Sequence, residues 1–163
     1  MRASLESHLG SHQVAHVVYG SIIGLALVVA LQGHPPGPGA MIGWLLGTAV
    51  SVGLAELYSG LLGTETRTRH RVTRSEVAPL LDDAVAVGFG IAFPGVFFLL
   101  AVLDVVTPSA AFDLAKWSGL GLIGFYGFWA ARFPGAPVRR ALLQGSLVAL
   151  VGGVLIALKS LLH

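Results

Sequence analysis

The stretch Ala40–Gly63 reads AMIGWLLGTAVSVGLAELYSGLLG and carries a single charged residue, Glu56. A helix needs about 20 mostly apolar residues to cross the hydrocarbon core of a bilayer. Residues 40–63 meet that length, so they predict a membrane-spanning helix. Four more stretches read the same way: about 14–31, 84–106, 110–131 and 138–162. The first ends at the turn Gln32-Gly33-His34-Pro35-Pro36-Gly37-Pro38-Gly39. The last starts at Pro137-Val138, where proline is tolerated in a first helical turn. The predicted fold class is all-α: a polytopic membrane protein of five transmembrane helices, in one domain over 1–163. Residues 64–80 form the one long connection, expected as an Arg-rich cytoplasmic loop.

Composition leads to the same class. The chain is 55% hydrophobic and 11% charged, against roughly 25% charged in an ordinary soluble domain. A soluble fold of this length has too little interior to hide that apolar surface. There is no cysteine, which excludes a disulfide framework and a thiolate metal site. Net charge is only +2 and no Lys/Arg-rich block suited to gripping phosphates occurs, so nucleic acid is not an expected partner. No G-x-S-x-G, H-E-x-x-H or Walker loop is present, and no nucleophile stands beside a base, so the protein is not expected to be an enzyme. Arg2 precedes an apolar run, but Glu6, His8 and His12 dilute it and no small-residue cleavage site is clear. A cleaved signal is not expected.

Lys and Arg set the orientation. Arg2 precedes the first span, Arg67, Arg69, Arg71 and Arg74 follow the second, and Arg132, Arg139 and Arg140 follow the fourth. Those are eight of the ten basic residues; Lys116 and Lys159 fall on the other side. The positive-inside rule then places the N-terminus in the cytoplasm and the C-terminus outside.

Small residues recur at helical spacing. In the second span Gly43, Gly47, Ser51, Ala55, Ser59 and Gly63 repeat every four positions. Gly20 and Gly24 do so in the first, and Gly121, Gly124 and Gly127 recur every three in the fourth. Such stripes let backbones approach closely, either within one subunit or between subunits. Pro94, inside Phe93-Pro94-Gly95, predicts a kink in the third span, either a static bend or a hinge that exposes carbonyls.

Glu56 is the most informative polar residue. It lies about two turns from the cytoplasmic end of its span. A carboxylate at that depth needs a cavity, a partner or water. It is either a cation or proton site or a neutral, hydrogen-bonded structural acid. Tyr58 and Ser59 follow within a turn. His8, His12 and His16 are spaced i, i+4, i+8, with Tyr19 three further on. If the first helix starts early, all four share a face. That face is either a divalent-metal site, since imidazoles at i, i+4 can share one ion, or a solvated interfacial face. A proton-linked role is the third option for a residue that titrates near neutral pH. Asp82 and Asp83 open the third span. They either complement the helix macrodipole or line a cytoplasmic vestibule with Glu56. Asp113 and Lys116 read as a structural pair.

These residues resemble the vacuolar iron transporter family. Ser51-Val52-Gly53-Leu54-Ala55-Glu56-Leu57-Tyr58-Ser59 resembles its second-helix motif, roughly S-M-x-x-G-E-Y-x-S, with Ser51, Glu56 and Ser59 in register. Tyr19-Gly20 and Gly24-Leu25 resemble its F-G-x-x-D-G-L. Ala92-Phe93 and Gly95 sit where the family has A-F-x-G, and Val138-Arg139-Arg140-Ala141-Leu142-Leu143 resembles the start of its last helix. The resemblance implies a homodimer that exchanges divalent iron or manganese for protons along a pathway near the dimer interface. Ile23 stands where the family has an acid, the second-helix methionines are absent, and the metal-binding insert is replaced by residues 64–80. The resemblance therefore carries over only Glu56, with Ser51 and Ser59 beside it.

The expectation is a small transporter-like protein in the plasma (inner) membrane of a prokaryote. It would move a divalent cation (Fe, Mn or Zn) coupled to protons. Glu56 and His16 are the metal candidates, and Tyr19, Ser51, Tyr58, Ser59, Asp82 and Asp83 the pathway or proton-linked ones. The alternative is a non-transporting protein whose small-residue faces dock another membrane protein or a second copy.

Overall fold

The computed structural model describes the backbone of residues 2–132 and 137–161, and the side chains of 13–132, 137–150, 152–154 and 157. Among the described residues the chain is all-helical. Six helices follow one another: α1 (Arg2–Leu31), α2 (Pro38–Thr68), α3 (Arg74–Ala92), α4 (Gly95–Val102), α5 (Pro108–Arg132) and α6 (Val138–Leu161).

Among the described residues, two helices are long and apolar enough to cross a membrane: α1, over Gln13–Leu31, and α2. A third span arises if α3 and α4 are taken together; they are bent by 47° at the break between them. That break is the kink expected at Pro94. Pro94 has no N–H to offer the carbonyl four residues back, and it is fully buried where the chain turns. In α5, Asp113, Lys116 and four glycines dilute the apolar run.

Helix ends follow local chemistry. Proline stands in the first turn of α2, and Pro137 directly precedes α6. Residues 64–80 are mostly helical rather than loop: α2 runs through Thr68 and α3 already begins at Arg74. Arg69 ends α2 in the left-handed region (φ 58°), its N–H donating to the Glu65 carbonyl. Thr73-Arg74-Ser75-Glu76 then starts α3. The Glu76 carboxylate accepts the Thr73 backbone N–H at 2.8 Å and the Thr73 hydroxyl at 2.7 Å, which ties the N-terminus down.

Those two bonds, the backbone one first, hold the Glu76 carboxyl below its ordinary value. A depressed carboxyl stabilises the fold above its unfolded pKa, and that contribution fades as pH falls through the folded value. Glu76→Gln should therefore lower the hydrogen-exchange protection of the first α3 turn at pH 7. The difference from wild type should vanish at acid pH. A penalty that persists unchanged when the carboxyl is protonated would refute the assignment.

The helices pack in the order α2–α3–α1–α5–α6, with α4 bridging α2 and α5. Within the apolar windows, α1 is 44% buried and α2 only 17%. α1 is thus the centre of the bundle and α2 an outer helix. One core cluster joins α1, α2, α4 and α5 through Val28, Met41, Leu45, Phe98 and Phe112, with the two phenyl rings edge to face at 4.8 Å. Ala49, Val87 and Ile91 join α2 to α3. Leu25, Val29 and Ile123 join α1 to α5. The Lys116–Asp113 pair forms as expected, at 2.9 Å.

Glycine makes the closest crossings. A Cβ on Gly20 would fall on the Val87 carbonyl oxygen, and one on Gly90 would fall on the Val17 carbonyl oxygen. A Cβ on Gly24 would lie 2.9 Å from the Ile91 carbonyl oxygen. α1 and α3 therefore touch backbone to backbone. The stripe on α2 does the opposite: Gly43, Gly47, Ser51, Ala55, Ser59 and Gly63 are all exposed. A Cβ at Gly43, Gly47 or Gly63 would meet nothing within 4 Å.

Candidate functional site

The crossings that build the bundle also assemble a polar cluster. His16 lies one turn before Gly20, and Asp83 one turn before Val87, so the Gly20–Val87 contact brings the two side chains together. On α2, Gly53 and Gly60 flank Glu56. A Cβ on Gly53 would sit 3.3 Å from the Ala84 carbonyl oxygen, and one on Gly60 would sit 2.7 Å from Leu80 Cδ2. These two glycines let α3 approach α2 on either side of Glu56. α1 and α2 scarcely touch each other; His16 and Glu56 reach across to meet.

The result is an imidazole held between two carboxylates from different helices. His16 Nδ1 lies 3.7 Å from Glu56 Oε1, and His16 Nε2 lies 3.6 Å from Asp83 Oδ1. Both distances are longer than a direct hydrogen bond, so these are charge contacts. His16 and Asp83 side chains are each 17% exposed, and Glu56 is 31% exposed. The three line a cavity of about 330 Å³ at the end of the bundle where α2 finishes and α3 begins. Gly60, Gly63, Thr64 and Arg67 form its α2 wall, and Leu80 faces them from α3. Glu56, Gly60, Gly63, Thr64 and Arg67 fall at i, i+4, i+7, i+8 and i+11. One stripe of α2 thus leads from the acid to a guanidinium, about 16 Å along the helix.

The chemistry follows from the ring. A neutral imidazole has one N–H and one lone pair; the protonated ring has two N–H donors. A proton can therefore arrive at one nitrogen from one acid and leave from the other nitrogen to the second acid. A metal ion finds a different situation. The two nitrogens face different carboxylates, so one ion can take only one of them. Among the described residues, no group of three or more His, Cys, Asp or Glu is placed to hold a metal.

Of the sequence candidates, Glu56, His16 and Asp83 come together. Tyr19, Ser51, Tyr58, Ser59 and Asp82 are exposed and do not line the cavity. Tyr58 and Ser51 lie on the outer side of α2. The backbone of His8 and His12 continues α1, but their side chains lie outside the described residues. Thr64, Arg67 and Leu80 join the lining without having been singled out. Helical spacing from Glu56 pointed to Thr64 and Arg67, whereas Leu80 arrives only through the α2–α3 crossing. No family model, no curated protein and no solved structure matches this chain.

Proposed function

We propose that this chain is a small five-span membrane protein that exchanges a divalent cation for protons. Its spans are about 14–31, 40–63, 84–106, 110–131 and 138–162, with the N-terminus cytoplasmic and the C-terminus outside. The observation that carries the reading is the placement of His16 between Glu56 and Asp83 at the wall of one cavity. Ionisable side chains at membrane depth are costly and mark ion or proton paths. Carboxylate and imidazole are donors suited to Mn, Fe or Zn. A cation can bind His16 only through a lone pair, so a proton on that nitrogen must leave as the ion enters. Where the ring carries a proton on both nitrogens, cation entry and proton release are then one event. The resemblance to the vacuolar iron transporter family supports divalent iron or manganese as cargo.

The test is Mn²⁺ uptake into proteoliposomes under an imposed pH gradient. Wild type is expected to take up the ion, and Glu56→Gln to lose about tenfold or more of the rate. Equal uptake by both would sink the role of Glu56. No uptake by wild type would favour the second reading, a non-transporting protein that docks a second copy or another membrane protein. The specific observation behind that reading is the outward-facing small-residue stripe of α2. The two readings share one element, a homodimer formed through α2.

A further inference from the structure

A second cavity, of about 210 Å³, lies between α5 and α6 and is walled by Gly124, Phe128, Leu142, Gly145, Ser146 and Ala149. Glycine makes it. A Cβ on Gly145 would lie 2.8 Å from the Gly124 carbonyl oxygen, so the helices meet there and leave a trough beside the crossing. Its walls are apolar except for the Ser146 hydroxyl.

The end of the trough is chemically different. On α5, Gly124, Phe128 and Arg132 follow at i, i+4 and i+8. On α6, Arg139, Leu142, Ser146 and Ala149 follow at i, i+3, i+7 and i+10. The stripes that form the trough therefore each run, at the same end of the bundle, into an arginine. Arg132 keeps a contact within the protein; a guanidinium has five donors and can hold more than one partner. Arg139 and Arg140 are exposed. A run of aromatic rings sits at this level: Phe125 and Trp129 at 6.3 Å, and Phe128 and Trp129 at 6.4 Å. Tryptophan, here Trp129, collects at the headgroup level of a membrane. From Arg139 to Ala149 is about 15 Å of helix, which equals the depth of one leaflet of a hydrocarbon core about 30 Å thick.

We infer that this trough is a binding site for one anionic phospholipid. An acyl chain lies along Phe128, Leu142 and Ala149, and the phosphate sits between Arg132 and Arg139. The occupant has to be apolar over one leaflet's depth and anionic at the aromatic level, which describes such a lipid and neither a peptide nor a free phosphate. The inference does not depend on transport, nor on which side of the membrane the arginines face.

The test uses the full chain purified in detergent and native mass spectrometry with phosphatidylglycerol or phosphatidylcholine added. Wild type is expected to retain one phosphatidylglycerol about tenfold more strongly than phosphatidylcholine, the size of one charge-assisted contact to phosphate. Arg139→Gln should remove that preference while leaving chain binding. Ser146→Leu, which fills an exposed position in the trough, should lower retention of both lipids. Arg71→Gln, at the other basic turn, should change neither. Equal retention of the two lipids by wild type would overturn the site. So would loss of the preference in Arg71→Gln, which would trace it to general surface charge, and so would unchanged retention in Ser146→Leu.

Discussion

Gly90→Leu should leave no folded protein. A Cβ at Gly90 meets the Val17 carbonyl oxygen, lies 2.6 Å from the Ser21 nitrogen and 2.9 Å from the Gly20 carbonyl carbon. All three are backbone atoms of α1, so no side-chain rotation relieves the clash. Overpacking a core commonly costs about 1–3 kcal/mol, and that range assumes neighbours that can yield. Here the helices must part. Parting them also breaks the buried contacts of Val87 and Ile91 and pulls Asp83 away from His16. The expected readout is loss of the monodisperse peak in detergent size exclusion and of any cooperative thermal transition. Even Gly90→Ala should lower the melting temperature clearly, while Gly43→Ala, at an open position, should not. A Gly90→Leu protein that melts with wild type would show that α1 and α3 do not cross as described.

Gly47→Leu and Ser51→Leu should have the opposite signature: an intact subunit and loss of the dimer proposed through α2. A side chain at Gly47 meets nothing within 4 Å, and Ser51 is exposed, so neither leucine disturbs the bundle. Between two copies of α2, however, each leucine would fill the notch that lets the backbones approach. Membrane helices have little hydrophobic drive to associate, so close packing across small residues carries the contact. A shift of the monomer–dimer equilibrium by about tenfold or more is expected, which corresponds to ~1.4 kcal/mol. Subunit counting by photobleaching in liposomes reads it directly. A monomeric wild type, or leucine variants that dimerise as well as wild type, would refute the α2 interface.

The two pairs of substitutions show what residue pattern can express. Gly20 and Gly24 in α1, and the six small residues of α2, carry the same four-residue spacing. Spacing marks a face that a backbone can approach, but says nothing of which backbone arrives. α3 occupies the first face; the second is exposed from Gly43 to Ser59, and only its last member, Gly63, turns to the cavity wall. Gly90 had no such repeat to announce it, and Gly53 and Gly60, seven apart on one face, fall outside the four-residue stripe. The start of α3 ten residues ahead of the expected span carries a local signal that the expected 64–80 loop left out. Thr73-Arg74-Ser75-Glu76 is a capping sequence directly ahead of an apolar run, and it shortens the expected 64–80 loop to the turn between Thr68 and Arg74.

The candidate site divides the same way. Glu56 stood out because the one charged residue in a mostly apolar stretch of 24 demands a partner. His16 was one of three histidines on a possible face, and Asp83 one of two adjacent acids. Chain position gave no reason to prefer Asp83 over Asp82. Adjacent helical residues point about 100° apart, so only one of the two can face α1 and α2 once α3 is docked.

The sequence by itself determined the class of the molecule, the helix-forming runs, the break at Pro94 and the acid at Glu56. These depend on local composition and on backbone chemistry that acts within a few residues. The tertiary structure alone decided which small-residue face is filled and which is open. It also decided that His16 stands between Glu56 and Asp83. Both depend on how helices far apart in the chain rotate against each other, and that rotation is set where bare backbone meets bare backbone, at Gly20, Gly53 and Gly90.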